Sequence, residues 1–267
     1  MLTDKIYHAL VSLPKAKRQF ARVVRRLPHR LRIVEHHGQR LIIDPSEISG
    51  FYLYYEQSYD DIIFKFLDTV IGRYSQALDI DANFGVYTCF FAARVPRVIA
   101  FEPDAIPNAW LKRNLALNHF GNVVVEALCI GRSTGMVKFA IGSDARNSGV
   151  GSTIDADASS VEYPASSLDD FFAEPLGRCL IKMDIEGAEW DALQGARRLL
   201  DAPEASIDIL LELHPDYLRK LGVGVRDIRT YMAELGYVSF GIGPQGLIPL
   251  REDETEERFL FLTRNTR

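Results

Sequence analysis

The chain has 267 residues, of which 47% are hydrophobic and 25% charged, with a formal net charge of -5. That length and composition fit one large α/β domain with an extension, and the acidic balance excludes a surface built to neutralise nucleic-acid phosphates, so no nucleic-acid partner is expected. Cys89, Cys129 and Cys179 share no CxxC spacing, which fits buried reduced thiols in a cytoplasmic protein; neither a secretory leader nor an apolar run near the ~20 residues of a membrane span is evident.

Residues 1–36 stand apart. Lys15, Lys17, Arg18, Arg22, Arg25, Arg26, Arg30 and Arg32 interleave with Leu10, Leu13, Phe20, Val23, Val24 and Leu27, the pattern of a basic amphipathic helix. Such a helix suits peripheral contact with an anionic membrane or an acidic partner. The plainer expectation is a solvated helix packing one face on the domain, or on a second copy in a homodimer.

The domain proper is expected over residues 37–267. His37-Gly38-Gln39 reads as a turn, and residues 40–45 as a short strand ended by Pro45. Ile62, Ile63, Phe66, Leu67 and Val70 recur at helical spacing, and Gly72 is placed to stop that helix. Strands are then expected over 77–80, 98–101 and 123–128, alternating with helices over 86–93 and 106–118. This alternation means βαβ units and a parallel sheet. Residues 136–163 break the rhythm. Their Gly, Ser, Asp and Asn content reads as a long loop, with 143–153 as a lid and Ser148 as a substrate contact. A strand over 180–183, a helix over 188–200, a strand over 207–213 and a helix over 225–235 follow, the last stopped by Gly236. Residues 237–240 and 259–262 close the sheet as an antiparallel pair.

The densest chemical signal is Leu78-Asp79-Ile80-Asp81-Ala82-Asn83-Phe84-Gly85-Val86-Tyr87-Thr88: a strand, a tight polar turn and a helix start. Ligands of doubly wound sheets bind beyond the carboxyl ends of strands, where a helix N-terminus receives a carboxylate. Asp79 is placed to receive an ammonium group, so the pair suits an amino-acid moiety. The next strand ends in Glu102-Pro103, and an acid there can accept from ribose hydroxyls. A nicotinamide dinucleotide would use the same acid, but its GxGxxG loop is missing; only Gly85 is present.

These residues resemble the FkbM family of class I S-adenosylmethionine-dependent methyltransferases. The resemblance rests on Asp79, Ala82, Asn83, Gly85, Tyr87 and Thr88, on Ala100-Phe101-Glu102-Pro103, on Asn114 and Asn118, and on Ile181-Lys182-Met183-Asp184-Ile185-Glu186-Gly187-Ala188-Glu189. It implies a Rossmann-like α/β fold with a mostly parallel seven-stranded sheet and helices on both faces. It implies S-adenosyl-L-methionine as cofactor, with Ala127 and Leu128 near the adenine. One departure is Asp81, where the family carries glycine. A charge there opposes a methionine carboxylate unless it points away or meets a cation, which leaves a non-catalytic cofactor-binding scaffold or regulator as the alternative function.

Asp184 ends one strand, and Glu212 and His214 end a strand that neighbours it in this topology, so the three should meet on the cofactor side. Lys182 shares the face of Asp184. A hydroxyl acceptor needs a proton acceptor, and Asp184 and His214 are the candidates, with Glu212 as orienting partner or second base and Lys182 beside them. Glu186 and His214 are candidate substrate contacts, and Tyr55 and Glu56 a second wall. Asp184, Glu212 and His214 offer ligands for Mg²⁺, but no spacing demands a metal and none is assigned. The resemblance implies O-methylation of a sugar, glycan, glycolipid or natural-product hydroxyl.

Overall fold

The computed structural model describes residue 25 and residues 29–141, 151–152, 160–203, 206–251 and 259–264. It opens with a hairpin, β1 (Arg32–His36) and β2 (Gln39–Ile43), turning through His37 and Gly38 at φ 46° and 83°. A short helix α1 (Ile48–Phe51) runs into a π-helical turn over Tyr52–Glu56, and α2 (Asp61–Val70) follows. Then come β3 (Gln76–Ile80), α3 (Val86–Ala92), β4 (Arg97–Phe101), α4 (Ala105–Leu117) and β5 (Val123–Glu126). The next segment carries β6 (Cys129–Ile130), β7 (Gly135–Ile141), β8 (Gly151–Ser152) and β9 (Val161–Ser166). The chain continues through α5 (Leu168–Phe171), β10 (Arg178–Met183), α6 (Glu189–Gln194), α7 (Arg197–Asp201) and β11 (Ser206–Glu212). It ends with α8 (Pro215–Lys220), α9 (Val225–Glu234), β12 (Val238–Gly243), β13 (Gly246–Pro249) and β14 (Phe259–Thr263).

The main sheet has the order β13-β12-β14-β11-β10-β3-β4-β5. β11, β10, β3, β4 and β5 are parallel, while β14 runs antiparallel between β11 and β12. The order reverses between β3 and β10, the switch point where open α/β sheets leave a crevice. This is the class I methyltransferase arrangement of seven strands, with β13 added at one edge by a hairpin on β12.

Strand residues alternate between two cores, one on each face of the sheet. Leu78, Ile80, Ile181 and Met183 pack into one; Ala77, Val98, Leu180 and Leu210 pack into the other. Asp79 and Lys182 fall on the second face, opposite each other in register. They are among the few ionisable groups in an apolar layer.

Four expectations change. Arg32–His36 is a strand and not the end of a basic helix, because Val34 leans on the second core and the backbone pairs with β2. Arg25 donates from Nε to the Ser46 carbonyl at 2.9 Å; residues 1–24 lie outside the described residues. The long loop is in part a second, four-stranded sheet, order β6-β9-β7-β8, while Ser148 and most of the expected lid lie outside the described residues. The helix expected over 188–200 is two short helices. They break at Gly195, where a Cβ would stand 2.2 Å from the Gly131 carbonyl. Finally, α2 ends through a tight turn over Ile71–Arg73 that contains Gly72, and Gly72 is not a left-handed stop.

Candidate functional site: a cofactor loop beside an acidic cluster

The loop after β3 takes left-handed backbone at every second residue: Asp81 at φ 63°, Asn83 at 50° and Gly85 at 94°. Asp, Asn and Gly are the residues that tolerate this region. Aspartate therefore fits the place of the family glycine. Gly85 is constrained twice, since a Cβ there would lie 2.5 Å from Leu111 Cδ1 on α4. The loop is held from both sides. Glu102 accepts from the backbone N–H of Asn83 at 2.8 Å and of Asp104 at 2.9 Å. Lys182 Nζ donates to the carbonyls of Asp81 at 3.0 Å and Ile80 at 3.4 Å.

Asp79 lies wholly buried beneath the loop. Its Oδ2 accepts from Thr88 Oγ1 at 2.5 Å, and its Oδ1 stands 3.5 Å from Lys182 Nζ. Burial raises the Asp79 carboxyl, against the pull of Lys182 and Thr88. Burial disfavours the Lys182 ammonium, yet Asp79, Asp184 and Asp81 outweigh it and hold the group above its ordinary range. Burial and the neighbouring Glu102 raise the Asp81 carboxyl, against the pull of Lys182. Burial pushes Glu102 up to about 7, with the Asp104 and Asn83 amides pulling it back.

Two cavities meet at Asp81, which lines both. One, of about 220 Å³, is walled by Pro103, Leu128, Cys129, Ile130, Val137 and Ala165. Its apolar walls and position beside Glu102 suit a purine and its ribose. The other, of about 500 Å³, is polar, with Lys182, Asp184, Glu186 and Glu212 on one side and Ser49, Tyr52 and Tyr59 opposite.

Beside the polar cavity the chain beyond β10 and β11 brings the acceptor candidates together; Asp184, Glu186 and Glu212 line the cavity and His214 does not. His214 Nε2 stands 3.6 Å from Asp184 Oδ1 and 3.4 Å from Glu186 Oε2. His214 Nδ1 bonds Glu189 Oε1 at 2.7 Å, and the same oxygen accepts from the Gly187 N–H at 3.0 Å. Burial opposes a charge on His214, but the bond to Glu189 and the nearby Glu186 and Asp184 raise it to about 9. Lys182 Nζ lies 3.9 Å from Asp184 Oδ2. Ligand atoms of Asp184, Glu212 and His214 lie within 4.8 Å of one another, close enough to share one ion.

The sequence matches the methyltransferase FkbM domain model over residues 79–239, more than half of the chain. The chain belongs to the FkbM methyltransferases. Its cofactor is S-adenosyl-L-methionine, which supplies an electrophilic methyl group on a sulfonium. Among solved structures, a methyltransferase FkbM from Methylobacillus flagellatus KT is 21% identical, over 71% of this chain and 43% of that one, with a TM-score of 0.44. This FkbM methyltransferase thus spans less than half the length of that relative. A Streptococcus mutans protein in complex with SAH is 13% identical, over 76% of this chain and 96% of that one (TM-score 0.44). An rRNA methylase from Streptococcus thermophilus is 15% identical, over 76% and 93% (TM-score 0.39). No curated protein matches the sequence.

Of the residues expected to hold cofactor, Pro103 and Leu128 line the apolar cavity, and Ala82, Asn83, Tyr87 and Asp184 line the polar one. Asp79, Gly85, Thr88, Glu102 and Ala127 line neither. Asp79 is closed off from any ammonium group of a ligand by Thr88 and Lys182, so it anchors the lysine under the loop. Tyr55 is buried and Glu56 stands outside both cavities; the second wall comes from Ile48, Ser49, Tyr52, Ser58, Tyr59 and Asp60 instead. Sequence reasoning missed Asp60, which accepts from Tyr87 OH at 2.8 Å, and the clamp of Glu189 on His214. A signal for the clamp was present, since Glu189 closes the Asp184–Glu189 motif.

Among the described residues, no helix is long and apolar enough to cross a membrane.

Proposed function

We propose that this FkbM methyltransferase is an O-methyltransferase acting on a hydroxyl of a sugar, glycan, glycolipid or natural product. The observation that carries the proposal is the set of Asp184, Glu186 and Glu212 lining the polar cavity, with His214 behind them against Asp184 and Glu186, next to the apolar cavity. A hydroxyl is a poor nucleophile until its proton has a place to go, and a positioned base contributes ~10²–10⁴-fold. His214, raised to about 9, holds its proton at neutral pH, so it serves as a donor that orients the carboxylates. Asp184 is the proton acceptor. Glu212 and Glu186 hold acceptor hydroxyls, joined by Tyr59 and Ser49 from the facing wall. Lys182 fixes both the cofactor loop and Asp184. Tyr52, 46% exposed, offers a face for a sugar ring.

The test is a pair of measurements on wild type and Asp184→Asn. Calorimetric titration with S-adenosylmethionine and S-adenosylhomocysteine should show micromolar binding to both proteins. Turnover on a screened panel of polyhydroxylated acceptors should fall ~10²-fold or more in the variant. Near-normal turnover of the variant would rule out Asp184 as the base. Binding of both nucleosides by wild type with no turnover on any acceptor would favour the cofactor-binding scaffold that Asp81 motivates, and binding of neither would count against both readings.

A further inference from the structure

A second group of metal-competent side chains lies away from the acceptor cluster, where the β1–β2 hairpin meets the start of α2. In a regular strand His36 and His37 would point to opposite faces. The left-handed backbone of His37 breaks that alternation, and the two rings come to 4.5 Å between centroids, at 88°. Asp61, the first residue of α2, faces them, and one ligand atom from each of the three lies within 4.8 Å of the other two. His36 Nε2 is buried with no hydrogen-bond partner among the described residues. A buried ring nitrogen without a partner is costly in a folded chain and points to a missing ligand.

The surroundings are those of a built site. His37 Nδ1 stands 3.8 Å from Asp68 Oδ2, and a carboxylate on one ring nitrogen is the common outer-shell partner of a metal-bound histidine. Asp68 itself is held by Arg94 Nε at 2.9 Å. Phe64 stacks on His37 at 4.8 Å and meets His36 edge-on at 4.9 Å, which gives an apolar shell on one side. His36 also lines a separate cavity with Val34, Leu53 and Tyr54, a route by which an ion could enter.

We propose that His36, His37 and Asp61 bind one divalent transition-metal ion of the zinc class, pinning the hairpin to α2. Two imidazole nitrogens and one carboxylate oxygen suit Zn²⁺ or Co²⁺ in tetrahedral coordination, with water in the fourth position. The ion would act on the acceptor site through position. Asp61 follows Asp60, which bonds Tyr87, and both Asp60 and Tyr87 line the polar cavity.

The experiment uses the full chain stripped with EDTA and titrated with Co²⁺ under anaerobic conditions, read by visible absorption, then by thermal unfolding with one equivalent of Zn²⁺. Wild type should take up one ion with a tetrahedral cobalt spectrum, and Zn²⁺ should raise its melting temperature by several degrees. Both effects should be lost in His36→Gln and in Asp61→Asn, and kept in His214→Ala. Loss in His214→Ala with retention in His36→Gln would put the ion in the acceptor cluster and overturn the proposal. No spectrum with any protein at 0.1 mM Co²⁺ would overturn it equally. Nucleoside binding is measured separately on the stripped protein, so a wrong metal site leaves the methyltransferase reading standing.

Discussion

Lys182 concentrates more of the site's electrostatics than any other side chain described. Its ammonium is buried against Asp79, holds the cofactor loop by the carbonyls of residues 80 and 81, and lies near Asp184. Removing one member of a buried pair strands the other, which costs about 3–5 kcal/mol. Lys182→Met should therefore lower unfolding free energy in urea by about that amount. Adding Asp79→Asn should recover part of it; a double variant no more stable than the single would mean the loss lies elsewhere. His214 makes a prediction in pH. Its folded value is raised to about 9 from an ordinary 6.5, so its stabilisation is complete below about 6.5 and is lost as pH rises through about 9. In EDTA, wild type should lose stability relative to His214→Gln across that window. Parallel curves would mean that Glu189, Glu186 and Asp184 do not hold the proton there.

Among the elements, α4 has a task that its sequence shows only as two asparagines one helical turn apart. Asn114 accepts from the Ile42 N–H at 2.7 Å and donates to the Phe84 carbonyl at 2.8 Å. Asn118 accepts from the Arg40 N–H at 2.9 Å and donates to the Arg40 carbonyl at 2.7 Å. The helix thus stitches the free edge of β2 to itself and to the cofactor loop. Asn114→Ala should cost about 1–3 kcal/mol and speed hydrogen exchange at the Ile42 amide. Unchanged exchange there would show that the hairpin is held by packing alone. Elements with a clear period were legible in advance: the strands expected over 77–80, 98–101 and 180–183 are short apolar runs interrupted only by Asp79 and Lys182, and α2 and α9 carry one apolar stripe. β7 and β9 were not, because Gly, Ser and Asn in the chain between them read as loop, and their pairing partner lies more than twenty residues away. The need for glycine at 195 was equally hidden, since the carbonyl that leaves no room for a side chain there is that of Gly131, far away in the sequence. In the site, loop residues and strand-end acids followed from order along the chain. The Asp79–Lys182 pairing and the Glu189–His214 clamp did not, because register and burial across strands are properties of the folded sheet.

At the scale of the molecule, the two cavities proposed for donor and acceptor are built from different parts of the chain. The apolar one draws on the ends of β3 and β4 and on the second sheet, and the facing wall of the polar one on residues 48–60. Substitutions in that wall should therefore act on the acceptor alone. Tyr52→Ala and Tyr59→Phe should raise KM for a hydroxyl acceptor several-fold and leave S-adenosylhomocysteine affinity unchanged. A matching fall in nucleoside affinity would show that the two cavities are coupled beyond their shared Asp81.

Methyl transfer requires the methyl carbon and the attacking oxygen to stay aligned over a short distance. Lys182, which holds the loop after β3, and Asp184, the proposed proton acceptor, are two residues apart at the end of one strand, roughly 7 Å along it. That strand lies inside the sheet, with β3 on one side and β11 on the other. When the sheet breathes, the loop proposed to cradle the donor and the base proposed for the acceptor travel as one body. The stroke of the reaction is thereby gauged by the spacing of a β-strand, and loop movements can admit or release ligands without resetting it.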